Sequence, residues 1–153
     1  MHNVTWYATS SGVASTEAIV AALNWLTGGE AEISREKVKS YHGVRMTMLR
    51  VQIHRKKAAR ESIAHLGPQL LGQIAQSDNL VDRIDDENIL HIRLSLSSLV
   101  RGTIELSEGA EEQVKGRIKL EVYPGQDSLG NAREMLEESY NRATKLGLPT
   151  PIE

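Results

Sequence analysis

The 153-residue sequence contains no cysteine and no phenylalanine, and it has only two tryptophans. Without cysteine the chain can form no disulfide, and cysteine-ligated zinc and iron–sulfur sites are excluded. The five histidines form no H-E-x-x-H pair. No apolar run is long enough to cross a membrane, and no signal peptide is recognisable. We therefore expect a cytoplasmic protein with an aliphatic core that binds no membrane and needs no cofactor.

Catalytic motifs are also missing. The sequence has no Walker A loop, no G-x-G-x-x-G dinucleotide loop and no G-x-S-x-G nucleophile elbow. Acidic residues within positions 82–87 supply oxygen ligands that Mg²⁺ or Ca²⁺ would accept, but their spacing matches no calcium loop. His91 and Arg93 lie two residues apart with no nucleophile beside them. The sequence therefore predicts a protein that is not an enzyme and that holds no metal.

Charge is distributed unevenly along the chain, although the formal net charge is only −2. Residues 35–60 carry nine basic residues and one acidic residue, a net charge of +8, so the rest of the chain carries −10. The candidate anion contacts in this segment are Lys39, Arg45, Arg50, Arg55, Lys56, Lys57 and Arg60. Such a concentration fits a surface that binds an anion, and it equally fits a solvated basic face balanced by acidic helices elsewhere.

The most regular pattern lies between residues 89 and 106. Aliphatic residues at positions 90, 92, 94 and 96 alternate with polar ones, and a shorter alternation follows at residues 103–106. A period of two places the aliphatic side chains on one face of a strand and the polar side chains on the other. We therefore predict two strands of an antiparallel sheet with one buried face and one solvent-exposed face.

The remaining signals complete an α+β pattern. Alternation predicts further strands at residues 4–9, 44–54 and 114–122, with a polar edge strand at residues 32–41. Capping and stop signals predict helices from Ser15 to Gly28, over residues 55–66, from Pro68 onward, and from Asp127 or Ser128 to Gly147. Strands in runs separated by helices predict one α+β domain over residues 1–153, with an antiparallel or mixed sheet covered on one face by helices.

Three local features can be predicted within this arrangement. The alternation in residues 44–54 changes phase at Met48 and Leu49, which predicts a β-bulge or bend there. Gly43 separates two strand-like segments and is expected to take a positive φ in a hairpin turn. Gly116 falls on the apolar face of the last strand, where a closely packed helix would favour glycine.

The polar face of the predicted sheet is a candidate binding surface. Alternation places on it Thr103 and Glu105, with Tyr123 at one end, and Tyr7 and Arg50 can share it. Its candidate RNA contacts are His91, Arg93, Lys115, Arg117 and Lys119. Cations around an aromatic ring suit phosphates and an unstacked base. An ordinary solvated face, or one covered by a protein partner, fits the same pattern.

The start of the helix at residue 55 is a second candidate. Lys56 and Arg60 lie one helical turn apart with Lys57 adjacent to Lys56, so their charges converge. Cations at a helix N-terminus oppose the helix dipole unless an anion is bound there. This arrangement predicts the main contact with RNA phosphates, and side chains that merely extend into water are the alternative.

Three short motifs stand out, at residues 39–44, 83–94 and 114–125. They resemble motifs of an archaeal family of predicted RNA-binding proteins that are also described as predicted exosome subunits. Residues 39–44 (KSYHGV) are similar to its "gyhGn" hairpin, and residues 83–94 (RIDDENILHIRL) are similar to its "RiDde…lyiRlDkq" pattern. Residues 114–125 resemble its closing strand, and the order of elements agrees over nearly the whole chain. Where the family tends to have Asp-Lys-Gln, this chain has Ser95, Leu96 and Ser97, which puts any role of that triplet in question here.

The resemblance implies an α+β fold like that of the large-subunit ribosomal protein that binds 5S ribosomal RNA. It also implies an RNA-binding protein that assists RNA processing in association with the exosome, or that assists ribosome assembly. The alternative is a non-catalytic protein-interaction or homodimerisation module, in which a sheet face or edge strand docks on a protein complex or on a second copy.

Overall fold

In a computed structural model, the described residues (3–10, 13–29, 32–39, 45–109 and 112–150) form a five-stranded antiparallel sheet with helices packed on one face. The strands are β1 (Asn3–Ser10), β2 (Ile33–Lys39), β3 (Arg45–Ile53), β4 (Ile89–Ser95) and β5 (Gln113–Lys119), in the spatial order β2-β3-β1-β5-β4. The helices are α1 (Val13–Leu26), α2 (Lys56–Ala64), α3 (Pro68–Ala75), α4 (Leu96–Val100) and α5 (Ser128–Leu146), and a 3-10 turn covers Val81–Arg83. The predicted fold class is confirmed.

The core lies between the sheet and the helices. Because side chains alternate along each strand, one cross-strand row of the inner face contains Val51, Trp6, Gly116 and Ile92 from β3, β1, β5 and β4. All four residues are buried. Helices contribute aliphatic side chains to the same core, including Ile19, Leu23, Ile63, Ile74 and Leu136. The alternation that predicted β4 and β5 therefore reflects a division of the sheet into a buried face and a face without helices.

Gly116 makes room for an aromatic ring in this core. A Cβ atom on Gly116 would lie only 2.4 Å from the ring of Trp6 on the neighbouring strand β1. Gly116 lies on the apolar face, as predicted. The close neighbour, however, is the Trp6 side chain rather than the backbone of a helix, because the two residues are paired in register across β1 and β5.

Local sequence signals place the start of α3 and both ends of α5 where the sequence indicates. Asp127 caps α5 by accepting a hydrogen bond from the backbone N–H of Leu129 at 2.9 Å. Pro68 opens α3, and Gly147 takes the left-handed conformation after α5. α1 differs from the prediction, because it begins at Val13, so position 15 lies inside the helix and not at its first boundary.

The strand predicted at residues 103–106 is wrong, because the chain turns into a helix directly after β4. Ser95 accepts a hydrogen bond from Ser98 N–H at 3.3 Å and caps α4, which begins at Leu96. Residues 103–106 contribute an isolated bridge between Leu106 and Leu94. The helix buries Leu96 and Leu99. Leu96, whose place in the alternation suggested a strand, is therefore buried by a helix instead.

The predicted bulge at Met48 and Leu49 is also wrong. β3 pairs with β1 without interruption from Thr47 to Ile53, and with β2 from Arg45 to Val51. Met48 is half-buried on the sheet face opposite Leu49, together with Arg50. An apolar residue need not lie on the buried face, and the methionine made one regular alternation look like two. The predicted turn at Gly43 lies outside the described residues.

The segment after α5 packs back against α1 and the end of α2. Trp25 donates through Nε1 to the carbonyl oxygen of Thr150 at 2.8 Å. Thr150 N–H donates to Nε2 of His65 at 3.3 Å, so this ring nitrogen is an acceptor and carries no proton. The imidazole stands edge-on to the Trp25 ring at 5.8 Å. Burial of His65 lowers its pKa, since the charged ring would lose its hydration.

This buried histidine makes stability depend on pH. The unfolded chain takes up a proton at the ordinary His65 pKa of 6.5, before the folded chain does, so stability is lost as the pH falls below that value. We expect the melting temperature to decrease between about pH 7.5 and about pH 5.5. His65→Gln keeps an acceptor for Thr150 but does not titrate, so its decrease should be smaller. Equal decreases in the melting temperatures of the parent and of His65→Gln would contradict the expectation that His65 causes this pH dependence.

Candidate nucleic-acid interface

The sheet face opposite the helices, here called the open face, presents cations around one aromatic ring. In cross-strand register, Arg50, Tyr7, Lys115 and Arg93 form a row across β3, β1, β5 and β4. The three cations are exposed and Tyr7 is half-buried. Since neighbouring strands lie about 4.8 Å apart, the row spans roughly 14 Å. Four strands that are separate in sequence thus place three positive charges and one ring in a single row, with Arg50 and Lys115 on the strands next to Tyr7.

A second row lies next to the first on the same face. It contains Gln52, Thr5, Arg117 and His91 from the same four strands. Thr5 is buried and Arg117 is half-buried, so this row is closely packed. The Nε atom of Arg117 is buried and has no hydrogen-bond partner among the described residues. Lys119 lies two residues beyond Arg117 on β5 and therefore adds one more cation to the same face.

Tyr7 is held from the β3 side by Arg50. The guanidinium carbon of Arg50 lies 5.7 Å from the centroid of the Tyr7 ring, within the range of a cation–π contact. Arg50 also donates through Nη2 to Oε1 of Gln52 at 2.7 Å. These two contacts restrain both the guanidinium and the ring, so the aromatic group of the open face is oriented before any ligand binds.

Two shallow concavities lie on the open face and share Tyr7 and Arg117 as a common wall. The larger, of about 420 Å³, extends over β5 and β4 and is also lined by Thr9, Met48 and Gln113. The smaller, of about 290 Å³, is lined mainly by polar and basic residues, which include Asn3, Arg50, Gln52, Glu87 and Lys119. The open face is therefore not flat, because a ridge divides a mixed polar and apolar depression from a basic one.

The acidic stretch before β4 organises a loop. Asp85 Oδ1 accepts from the backbone N–H groups of Glu87 at 2.9 Å and of Ile89 at 3.1 Å, and its Oδ2 lies 2.7 Å from His91 Nε2. The hydrogen bond from His91 holds the pKa of Asp85 below its usual value. Asp85 therefore positions His91 at the rim of the open face. Within the described residues, no group of three or more histidine, aspartate or glutamate side chains is arranged to hold a metal ion.

The basic residues at the start of α2, here called the α2 basic group, are Arg55, Lys56, Lys57 and Arg60. They lie in the helical layer and therefore do not join the open face. Lys56 Nζ lies 2.6 Å from Glu121 Oε1, and this hydrogen bond raises the pKa of Lys56. Arg60 lines a concavity of about 370 Å³ between α2 and α5, together with Tyr123 and Asn131. One member of the group is thus already paired with a carboxylate.

The basic segment of residues 35–60 does not form one surface. Arg50 lies on the open face, and four other candidates form the α2 basic group. Lys39 and Arg45 are opposite each other at the end of the β2–β3 pair. Arg35 forms an ion pair with Glu17 of α1 at 2.9 Å. The other candidate contacts of the open face come from β4 and β5, where the alternation predicted them.

Three residues predicted for the polar sheet face lie elsewhere. Thr103 follows α4 outside the strands, and the Glu105 carboxylate accepts a hydrogen bond from Ser98 Oγ of α4 at 3.0 Å. Tyr123 lies beyond the end of β5 and lines the α2–α5 concavity. Conversely, the sequence reasoning missed Thr9 and Met48, which line the larger concavity. Met48 was not predicted on this face because of the expected bulge at Met48 and Leu49. Regular alternation would have placed Met48 on the same face as Arg50.

None of the helices in the described part of the chain is long and apolar enough to cross a membrane. The described helices instead pack on the sheet, where they bury the core.

A family model described as RNA binding matches residues 5–122. Among solved structures, a DUF54 protein from Methanothermobacter thermautotrophicus is 27% identical, with a TM-score of 0.72 over 91% of this chain and 97% of its own. A DUF54 protein from Archaeoglobus fulgidus is 23% identical, with a TM-score of 0.66 over 90% of this chain and 98% of its own. A UPF0201 protein from Methanococcus jannaschii is 11% identical, with a TM-score of 0.60 over 88% and 98%. The last two likenesses concern the fold alone. No curated protein sequence matches the chain.

Proposed function

Since the chain belongs to the RNA-binding family whose model matches residues 5–122, we propose that it binds RNA through the open face of its sheet. The observation that carries this proposal is the cross-strand row of Arg50, Tyr7, Lys115 and Arg93 on the face opposite the helices. Cations fix the phosphates of a nucleic acid, and an aromatic ring among them accepts a base. The protein acts in this proposal as a binding protein and not as an enzyme.

The cations of β5 provide a track for the RNA backbone. Lys115, Arg117 and Lys119 occupy alternate positions, so their side chains lie on one face at intervals of about 6.6 to 6.8 Å. Arg93 widens this track on β4 and Arg50 widens it on β3. The formal net charge of the whole chain is −2, so attraction to RNA depends on this local group and not on the overall charge.

The α2 basic group is a second contact in the proposal. Arg55 precedes α2 without a side-chain cap, so the first amides of the helix can face an anion. Lys56 is paired with Glu121, however, and contributes less charge to a phosphate there than an unpaired lysine would. We therefore assign the main phosphate contacts to the open face and additional contacts to α2.

The biological role that we propose is an accessory one, in the cytoplasm. The motifs at residues 39–44, 83–94 and 114–125 support a protein that assists RNA processing in association with the exosome, or that assists ribosome assembly. As part of the same proposal, we infer that the fold resembles that of the ribosomal protein that binds 5S ribosomal RNA. A complex of RNA-processing proteins would then be a partner in addition to RNA.

An edge strand favours a second candidate, a non-catalytic interaction or homodimerisation module. β2 is the last strand of the sheet, and its outer edge pairs with no strand of the described residues. The other edge strand, β4, is covered near its ends by the bridges Ile84–Leu90 and Leu94–Leu106. Free edges pair with other chains, but charged side chains such as Arg35 and Lys37 discourage this pairing.

A salt titration separates the two candidates. Binding of a fluorescent RNA of about 12 nucleotides should weaken linearly on a log–log plot between about 50 and 300 mM salt, with a slope of about −0.7 for each phosphate contact. Light scattering after gel filtration gives the oligomeric state under the same conditions. Absence of RNA binding at low salt, together with a dimer that persists at high salt, would favour the interaction module.

A further inference from the structure

The larger concavity of the open face has the groups that an unstacked base requires. Tyr7 supplies an aromatic surface whose position Arg50 restrains, and Met48 adds a polarisable apolar surface. Thr9 and Gln113 bring a hydroxyl and an amide to the same depression. The Gln113 amide nitrogen donates to Ser107 Oγ at 2.9 Å, and this bond orients the amide. Stacking groups and polar groups therefore lie together in a space of about 420 Å³.

The smaller concavity suits the phosphate of the same nucleotide. Arg50, Arg117 and Lys119 line it, and the buried Nε of Arg117 has no hydrogen-bond partner among the described residues. A donor that is buried without a partner is costly, and a phosphate oxygen would satisfy it. Glu87 lies at the rim with a charge of the opposite sign, but its backbone oxygen accepts from Lys119 Nζ and thereby holds this lysine at the site.

The ridge between the concavities bears on whether single-stranded or double-stranded RNA fits this face. Because Tyr7 and Arg117 border both depressions, one nucleotide that spans the ridge places its base on one side and its phosphate on the other. This placement requires a base that has left its stack, as in single strands, loops and ends. A duplex keeps its bases stacked, so it would touch the exposed cations but could not place a base against Tyr7.

We propose that the open face selects single-stranded RNA by holding one unpaired base against Tyr7 in the larger concavity and its phosphate against Arg117 and Lys119 in the smaller. This inference rests on the proposed RNA-binding function and adds the substrate class and the position of one nucleotide. Recognition by shape and stacking tolerates different bases, so sequence preference should be weak.

The test compares a labelled single strand of about 12 nucleotides with the same sequence in a blunt duplex, by fluorescence anisotropy at fixed salt. The parent protein should bind the single strand about tenfold more tightly or better. Tyr7→Leu removes the ring but keeps an apolar side chain, and it should weaken single-strand binding by about 5- to 100-fold with little effect on the duplex. Tyr7→Phe keeps the ring and should bind nearly as the parent does.

A matched control is available on the opposite side of the molecule. Tyr140 is an exposed aromatic residue of α5 whose ring lies beside Gly72 of α3, away from both proposed contacts, so Tyr140→Leu should leave single-strand binding unchanged. Thermal melts followed by circular dichroism would verify that each variant is folded. If the parent binds both RNAs equally, or if Tyr7→Leu weakens both to the same degree or neither, the single-strand inference is wrong while RNA binding stands. If the parent binds neither RNA at low salt, the proposed function itself fails.

Discussion

Changing Arg93, Lys115 and Arg117 together to glutamine is expected to reduce RNA affinity by about 100-fold near 0.1 M salt, since three phosphate contacts to a single strand would each contribute a salt slope of about −0.7. The salt dependence should flatten by about two units of slope for the same reason. Arg93 and Lys115 are exposed and Arg117 is half-buried, so glutamine can replace the aliphatic part of each side chain without opening the core. Anisotropy titrations at several salt concentrations would measure both effects.

The matched control is the triple change of Lys56, Lys57 and Arg60 to glutamine. It removes the same formal charge from the α2 basic group, so general electrostatic attraction changes equally in both proteins. We expect a smaller loss of affinity, because Lys56 is already paired with Glu121. If the α2 variant loses more affinity than the open-face variant, the start of α2 is the main phosphate contact. If both bind RNA as tightly as the parent, neither surface is the binding site.

Replacing Trp6 by alanine should have the largest effect on stability, about 3–5 kcal/mol in the free energy of unfolding. Trp6 is 1% exposed and occupies the inner face at the centre of the sheet, over Gly116. Gly116→Ala should cost about 1–3 kcal/mol or more, because the new methyl group would lie 2.4 Å from a buried ring that has little room to move. Urea denaturation followed by circular dichroism would measure both changes.

A double-mutant cycle tests whether these two residues act as one packing unit. Combining Gly116→Ala with Trp6→Leu should cost less than the sum of the single changes, by about 0.5–3 kcal/mol, since the smaller side chain leaves space for the new methyl group. Gly72→Ala in α3 is the control, because its Cβ atom would meet Tyr140 at an ordinary 3.6 Å. That change should be neutral or stabilising. Simple additivity of the Trp6 and Gly116 changes would contradict the packing argument.

Much of the fold follows from interactions between residues that are close in sequence, and sequence patterns can predict such interactions. The period of two in β4 and β5 identified both strands and the side chains on each of their faces. Asp127, Pro68 and Gly147 marked helix boundaries, because capping and φ preferences depend on a few neighbouring residues. The same alternation assigns the cations of β4 and β5 to the polar faces of their strands without any information on strand pairing.

Other features depended on which strands become neighbours. Alternation assigns a side chain to a face, but it does not say that β1 lies between β3 and β5. That order places Tyr7 between Arg50 and Lys115, and it sets Trp6 over Gly116. The packing of α2 on the other face of the sheet separates Arg50 from the α2 basic group, although one run of basic residues contains both. Strand order follows from long-range contacts in the whole core, whereas the patterns along the chain report local periodicity.

The wrong predictions of local structure have a related cause. Apolar Leu96 continued the alternation of β4, yet the Ser95 cap turns the chain into α4, and the helix buries Leu96 as well as a strand would. Met48 suggested a bulge, yet the uninterrupted pairing of β3 with two neighbours keeps it on the open face beside the basic row. Burial can be reached by either helix or strand, and an apolar side chain can line a ligand site. Only tertiary packing decides between these outcomes, because it determines which surfaces are covered.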